Sequence, residues 1–140
     1  MGEMQDLAAL IRAGTPLIVV ETADEGQAVE MFRQTLTRVW RAMYRWTITE
    51  GLRRIDLDGE DPAEVAADVG TTLRTIRAAT QRGVYLLLDF HPYLEYGGSQ
   101  RQMRDILQRR DCLPHTLVLV GHKVELPREL ESKAIRYRPR

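Results

Sequence analysis

The run Val84-Tyr85-Leu86-Leu87-Leu88 constrains this chain more than any other segment. Its residues are all apolar or aromatic, with no polar alternation. Such a run reads as a strand buried on both faces, the situation of a central strand in a parallel sheet. Asp89 follows at once and Pro92 stands three positions later. Proline cannot donate to a ladder, so the strand ends before it. Asp89 is thereby expected at the carboxyl end of a central strand, where open α/β sheets place their ligands.

Two further runs have the same character. Leu17-Ile18-Val19-Val20-Glu21 and Thr116-Leu117-Val118-Leu119-Val120-Gly121 read as buried strands. Tyr44 to Thr49 alternates and is rich in aromatic and β-branched residues, which predicts another strand. A short extended piece is expected at Leu52 to Leu57, and an edge strand at Ala134 to Tyr137. Helical spacing fills the intervals. Leu7, Leu10 and Ile11 mark a first helix, with Gly14 as C-cap and Pro16 as stop. Thr22 and Glu25 have capping-box spacing for the next helix. That helix carries one stripe through Val29, Phe32, Leu36, Val39, Trp40 and Met43. Asp61 and Pro62 open a third helix with Val65, Val69, Leu73 and Ile76 inward, Gly70 in its middle and Gly83 at its end. Gly97-Gly98-Ser99 reads as a flexible loop, Ser99 capping a helix from Gln100 to Arg110. Pro127 starts a short helix, Arg128 to Ser132. Trp40, Tyr44 and Trp46 are expected in the core. Strands alternating with helices imply right-handed βαβ units and a three-layer α/β sandwich around a mostly parallel sheet of about five strands.

With 140 residues the chain suffices for a single domain, 1–140. Its 20 basic and 20 acidic residues cancel, which disfavours a non-specific nucleic-acid surface. Cys112 is the single cysteine, so neither an intramolecular disulfide nor a multi-cysteine zinc site can form. A free thiol suits a reducing compartment. No apolar stretch nears the ~20 residues of a membrane span. The expectation is a cytoplasmic protein.

A phosphate-binding loop needs G-x-x-x-x-G-K-[ST] between the first strand and its helix, so that backbone amides and a lysine cradle the phosphates. That junction here reads Glu21-Thr22-Ala23-Asp24-Glu25-Gly26-Gln27, acidic and without lysine. Nucleotide binding of the usual kind is not expected, and Thr22, Asp24 and Glu25 read as capping residues. Glu21, Glu50, Asp89, His91 and His122 all follow strand ends and are candidates to converge on a divalent metal. Parallel strands also end in polar residues simply on reaching solvent. Arg101, Arg104, Arg109 and Arg110 decorate one helix, and Arg136, Arg138 and Arg140 crowd the C-terminus. These read as a solvated face and a tail, or as a partner surface.

Four segments carry a family resemblance. They are Asp6-Leu7 with Leu10-Ile11-Arg12-Ala13 and Pro16-Leu17-Ile18; Trp46-Thr47-Ile48-Thr49 with Gly51-Leu52; Leu88-Asp89-Phe90-His91-Pro92-Tyr93-Leu94; and Leu126-Pro127 with Glu129-Leu130-Glu131. Together they resemble the N-terminal half of cyanobacterial and plastid-type AAA ATPases, a degenerate ATPase-like domain. The resemblance implies an AAA or RecA-like sheet of order 5-1-4-3-2 that lacks the P-loop, forming the N-terminal part of a longer ATPase. Asp89 then corresponds to the Walker B position, and Phe90 replaces the glutamate expected after it. No catalytic, cofactor or metal residue is implied for this chain. ATP and magnesium would belong to a following ATPase domain.

The function so implied is a regulatory or protein-interaction domain without its own ATP hydrolysis. Its partner would be its own ATPase domain or a client protein, met through Arg101 or Arg104. A different class of function competes with it. Val19-Val20-Glu21 is similar to the opening strand of TOPRIM domains, which carry out metal-dependent phosphoryl transfer. Glu21, Asp89 and His91 would then be catalytic, with Glu21 and Asp89 on the metal. Thr22 stands where that pattern has glycine, and His91 where it has a second aspartate. A small independent adaptor is a third possibility.

Overall fold

A computed structural model describes residues 2–56 (backbone only for 2–4), 67–108 and 115–137. In chain order the elements are α1 (Gly2–Arg12), β1 (Leu17–Glu21), α2 (Glu25–Thr35), β2 (Ala42–Thr47), β3 (Gly51–Arg54), α3 (Val69–Ala78), β4 (Gly83–Leu88), α4 (Gly97–Leu107), β5 (Thr116–Gly121), α5 (Arg128–Glu131) and β6 (Ala134–Tyr137). A 3-10 turn at His91–Glu95 links β4 to α4.

The strands form one sheet in the order β3-β2-β4-β5-β1-β6. Five are parallel. β3 joins β2 as an antiparallel edge, with Trp46 opposite Leu52. The expected five-strand order is present, and the short extended piece after Gly51 adds a sixth strand. β4 and β5 are buried at every position, as their unbroken apolar runs require.

Alternation along the strands feeds two cores. Ile18, Val20, Leu86, Val118 and Val120 meet Leu7 and Ile11 of α1 and Ala28, Val29 and Phe32 of α2. Leu17, Val19, Leu87, Leu117 and Leu119 meet Leu73 and Ile76 of α3 and Met103 and Ile106 of α4. Helices therefore cover both faces, and the molecule is a three-layer α/β sandwich.

Gly14 turns the chain from α1 into β1 at φ 73°, and the Thr15 N–H closes onto the Leu10 carbonyl at 3.1 Å. A left-handed residue of this kind ends a helix at least cost when it is glycine. Across the sheet, buried His115 joins three elements. Its Nδ1 accepts from the Gly83 N–H at 3.1 Å, so its Nε2 carries the proton facing the Ala79 carbonyl, also at 3.1 Å.

Several local expectations are corrected. α2 ends at Thr35 rather than continuing through Met43. Thr35 and Thr37 direct their hydroxyls onto the Met31 and Gln34 carbonyls, and the backbone tightens to Thr37→Gln34 and Arg38→Thr35 bonds. Leu36 and Val39 remain buried in this tightened turn, but Trp40 swings out and is 59% exposed. β2 accordingly starts at Ala42, ahead of the expected Tyr44. α3 is capped by Asp68, whose carboxylate accepts the Thr71 N–H at 2.9 Å, so Gly70 lies in the first turn rather than the middle. The same helix stops at Ala78, and Gly83 opens β4. Gly97, Gly98 and Ser99 form the first turn of α4 and not a loop, because Tyr96 serves as N-cap and its carbonyl accepts the Gln100 N–H. Leu57, Asp61, Pro62, Val65, Arg109, Arg110, Cys112, Arg138 and Arg140 lie outside the described residues.

Phe32 is wholly buried at the centre of the α1/α2 core. Phe32→Ala is expected to cost about 3–5 kcal/mol, a large part of the ~5–15 kcal/mol of an ordinary domain. Thermal and urea unfolding measure it, and an unchanged melting temperature would contradict the packing.

Candidate functional site

The carboxyl ends of β1, β4 and β5 are where an α/β sheet of this order presents its ligand crevice. At the first of these ends only Thr22, Ala23 and Asp24 separate β1 from α2. The Thr22 N–H donates to the Gly121 carbonyl at 2.8 Å, and the Asp24 N–H to the Thr22 hydroxyl at 3.0 Å. Asp24 is the N-cap, its carboxylate accepting the Gln27 N–H at 3.0 Å. Of the three expected capping residues Thr22, Asp24 and Glu25, Asp24 is the N-cap, and Thr22 closes the turn before it. A side-chain carboxylate occupies the helix terminus where a phosphate loop would present its amides.

Glu21 is committed to the fold. Its Oε2 accepts the Val124 N–H at 3.0 Å, and its Oε1 lies 3.4 Å from Arg136 Nη1. Arg136, in edge strand β6, is the hub of this end. Its Nη2 donates to the Val124 carbonyl at 2.7 Å and to Glu131 Oε1 at 2.6 Å, and its Nε to Glu131 Oε2 at 2.9 Å. This bidentate pairing holds the Glu131 carboxyl below its ordinary value. Chiefly through the same bonds, and secondarily through Glu21, Arg136 is raised above its own.

Asp89 leaves β4 in a left-handed conformation, φ 54°, with its N–H on the Val120 carbonyl at 2.9 Å. Aspartate tolerates this region better than most residues. The turn exposes Asp89 and sends Phe90 back into the core, where its ring meets Trp46 edge-on at 4.9 Å. His91 then lies over the end of β5. A Cβ added to Gly121 would sit 2.8 Å from His91 Cε1 and 3.2 Å from Val124 Cγ2, so the absence of a side chain at Gly121 makes this approach possible. His91 Nδ1 is shielded from solvent and has no hydrogen-bond partner.

The residues that follow strand ends do not assemble at one point. Glu50 faces Arg45 and Arg53 at 3.7 and 3.8 Å and lines a cleft of about 340 Å³ beside Glu25, Gly26 and Leu88. His91 lines a separate cleft of about 560 Å³ with Gln100, Lys123, Glu125 and Pro127. His122 is exposed. Among the described residues no group of three or more His, Cys, Asp or Glu side chains is placed to hold a metal. On α4, Arg104 reaches α5 and pairs with Glu129 at 2.6 Å, and Arg101 pairs with Asp105 at 3.3 Å. Two residues that organise this architecture escaped the sequence. Arg136 looked like part of a basic tail, and the signal that could have flagged it was its place within a four-residue strand. Nothing in the pattern around His115 marked it as a link between α3, β4 and β5.

A sheet of this order, bearing an aspartate at the end of a central strand and a short acidic junction after β1, defines a mostly parallel α/β domain with polar residues along the carboxyl edge of its sheet. The family profile of the SpoVK-like AAA ATPase, N-terminal domain, matches residues 3–138, and the chain belongs to that family. No curated protein and no solved structure matches it.

Two outcomes test this geometry. Gly121→Ala should cost about 1–3 kcal/mol through overpacking against His91 and Val124. His91→Ala in the same background should recover part of the loss, a coupling that a double-mutant cycle reads directly. The Glu131 carboxyl is lowered in the fold, so its stabilising contribution is present above its unfolded value of 4.5 and is lost as pH falls through the lower folded value. The melting-temperature gap between wild type and Glu131→Gln should therefore be full near neutrality and close in acid. A gap independent of pH would contradict the ion pair.

Proposed function

We propose that this chain is a regulatory or protein-interaction domain of an AAA-type ATPase that neither binds nor hydrolyses ATP itself. The junction after β1 carries the proposal. It spans three residues and ends in the carboxylate cap of Asp24 on the Gln27 N–H, with no glycine-rich loop, no lysine and a carboxylate where phosphates would lie. Phe90 adds support, because the residue after Asp89 is a core side chain rather than a group able to orient water. On this proposal the domain is degenerate, and its quoted motifs ally it with the cyanobacterial and plastid-type members. ATP and magnesium act in a separate ATPase domain of a cytoplasmic parent protein. No helix among the described residues is long and apolar enough to cross a membrane.

A metal-dependent phosphoryl-transfer enzyme would need Glu21, Asp89 and His91 available together. Glu21 already serves Val124 and Arg136, which favours the interaction domain. The partner on this proposal is the ATPase domain or a client protein. The face of α4 that bears Arg101 and Arg104 is one contact surface, Arg101 offering the more exposed charge.

Calorimetric titration with Mg-ATP should give no saturable heat at millimolar nucleotide. One-site binding at micromolar Kd, about −8 kcal/mol, would overturn the proposal.

A further inference from the structure

We propose that the opposite end of the sheet carries a docking surface for an acidic segment of a protein partner, formed by Arg41, Arg82 and Trp40. This deepens the interaction-domain proposal above and rests on it.

Arg41 and Arg82 immediately precede β2 and β4, which are parallel neighbours with Ala42 opposite Gly83. Adjacent strands lie about 4.8 Å apart, so the two arginine stems leave the backbone side by side. Each has its Nε shielded from solvent with no hydrogen-bond partner. Arg41 directs Nη1 onto the Trp40 carbonyl at 2.8 Å, a neutral acceptor. Burial first, and then the Arg82 charge, push the Arg41 guanidinium down from its ordinary value.

Several other arginines of this chain are supplied with carboxylates. Arg54 holds Asp56 at 2.8 Å, Arg104 holds Glu129, Arg136 holds Glu131, and Glu50 lies between Arg45 and Arg53. Among the described residues neither Arg41 nor Arg82 has such a partner, although the sequence contains as many acidic as basic residues. Two like charges, partly desolvated and adjacent, carry a cost that a bound anion removes. Guanidinium groups favour carboxylates through paired N–H donors.

Trp40 supplies the apolar component. It is 59% exposed in the turn just before Arg41, and Arg38 in the same turn adds a further exposed cation. Tryptophan and arginine dominate the energetic centres of protein interfaces. The compact footprint and zero net charge favour acidic side chains over a nucleic-acid backbone, which is bound through many distributed phosphate contacts.

The test uses the whole chain and a capped octaglutamate peptide at low salt, read by peptide anisotropy and by tryptophan fluorescence. Trp40 is the exposed one of the two tryptophans, and Trp46 is buried. Saturable binding with a change in emission is expected. Arg41→Glu with Arg82→Glu should weaken it by about tenfold or more, while the charge-matched pair Lys123→Glu with Arg128→Glu should leave it unchanged. Trp40→Phe should abolish the emission change. Should the glutamate pair fail to fold, Arg41→Gln with Arg82→Gln decides, with the same loss expected. Equal weakening in both charge-reversed pairs, or no peptide binding by wild type, would overturn the proposal. So would tighter binding of an octathymidylate dependent on the same arginines. Mg-ATP titrated into the same samples separates the two levels: nucleotide binding would overturn the interaction-domain proposal itself, whereas loss of peptide binding alone overturns this surface only.

Discussion

The double burial of β4 and β5 is the constraint from which the remaining structure follows. Both strands are apolar at positions of either parity, so neither sheet face can meet water there. Helices must cover both sides, and parallel neighbours with crossover helices are the connection that achieves this. α1 and α2 close one face, α3 and α4 the other. Once the strands are so placed, their carboxyl ends are brought to a common edge, and what the chain can do depends on the residues that leave the strands there.

At that edge the polar groups are used to hold the fold together. Glu21 binds the backbone after β5 and the arginine of β6, and Arg136 binds Glu131 and Val124 in turn. The network ties the edge strand β6 to β1 and to the loop beyond β5. Asp24 similarly satisfies the Gln27 N–H in the first turn of α2. In this domain of the SpoVK-like AAA ATPase N-terminal family, the polar groups at the carboxyl edge of the sheet are thus engaged by the chain's own backbone and side chains.

Legibility from sequence tracked how local the governing physics was. Leu17–Glu21, Thr116–Gly121 and Ala134–Tyr137 were readable to the residue, because continuous apolar or alternating runs bounded by turn residues leave little choice. The far end of α2 was not. Leu36 and Val39 continue the helical period, yet the threonine hydroxyls and the competing pairing of Ala42 with Gly83 take over. Gly97 and Gly98 misled in the opposite sense, since packing of Leu94, Met103 and Ile106 carries the helix through two poor helix formers. The sequence offered candidate residues at the strand ends but not their arrangement. Strand order separates Glu50 from His91, and the partners of Glu21 lie 103 positions away at Val124 and further still at Arg136. No spacing rule reaches that far.

The central claim is that Glu21 tethers the backbone beyond β5 to the end of β1. Amide hydrogen exchange at Val124 tests it most directly, because that N–H is the donor to Glu21 Oε2. The account predicts a protected Val124 amide in wild type and fast exchange in Glu21→Ala, with Val118 and Leu119 in β5 remaining slow in both. A Val124 amide that exchanges equally fast in the two proteins would contradict it.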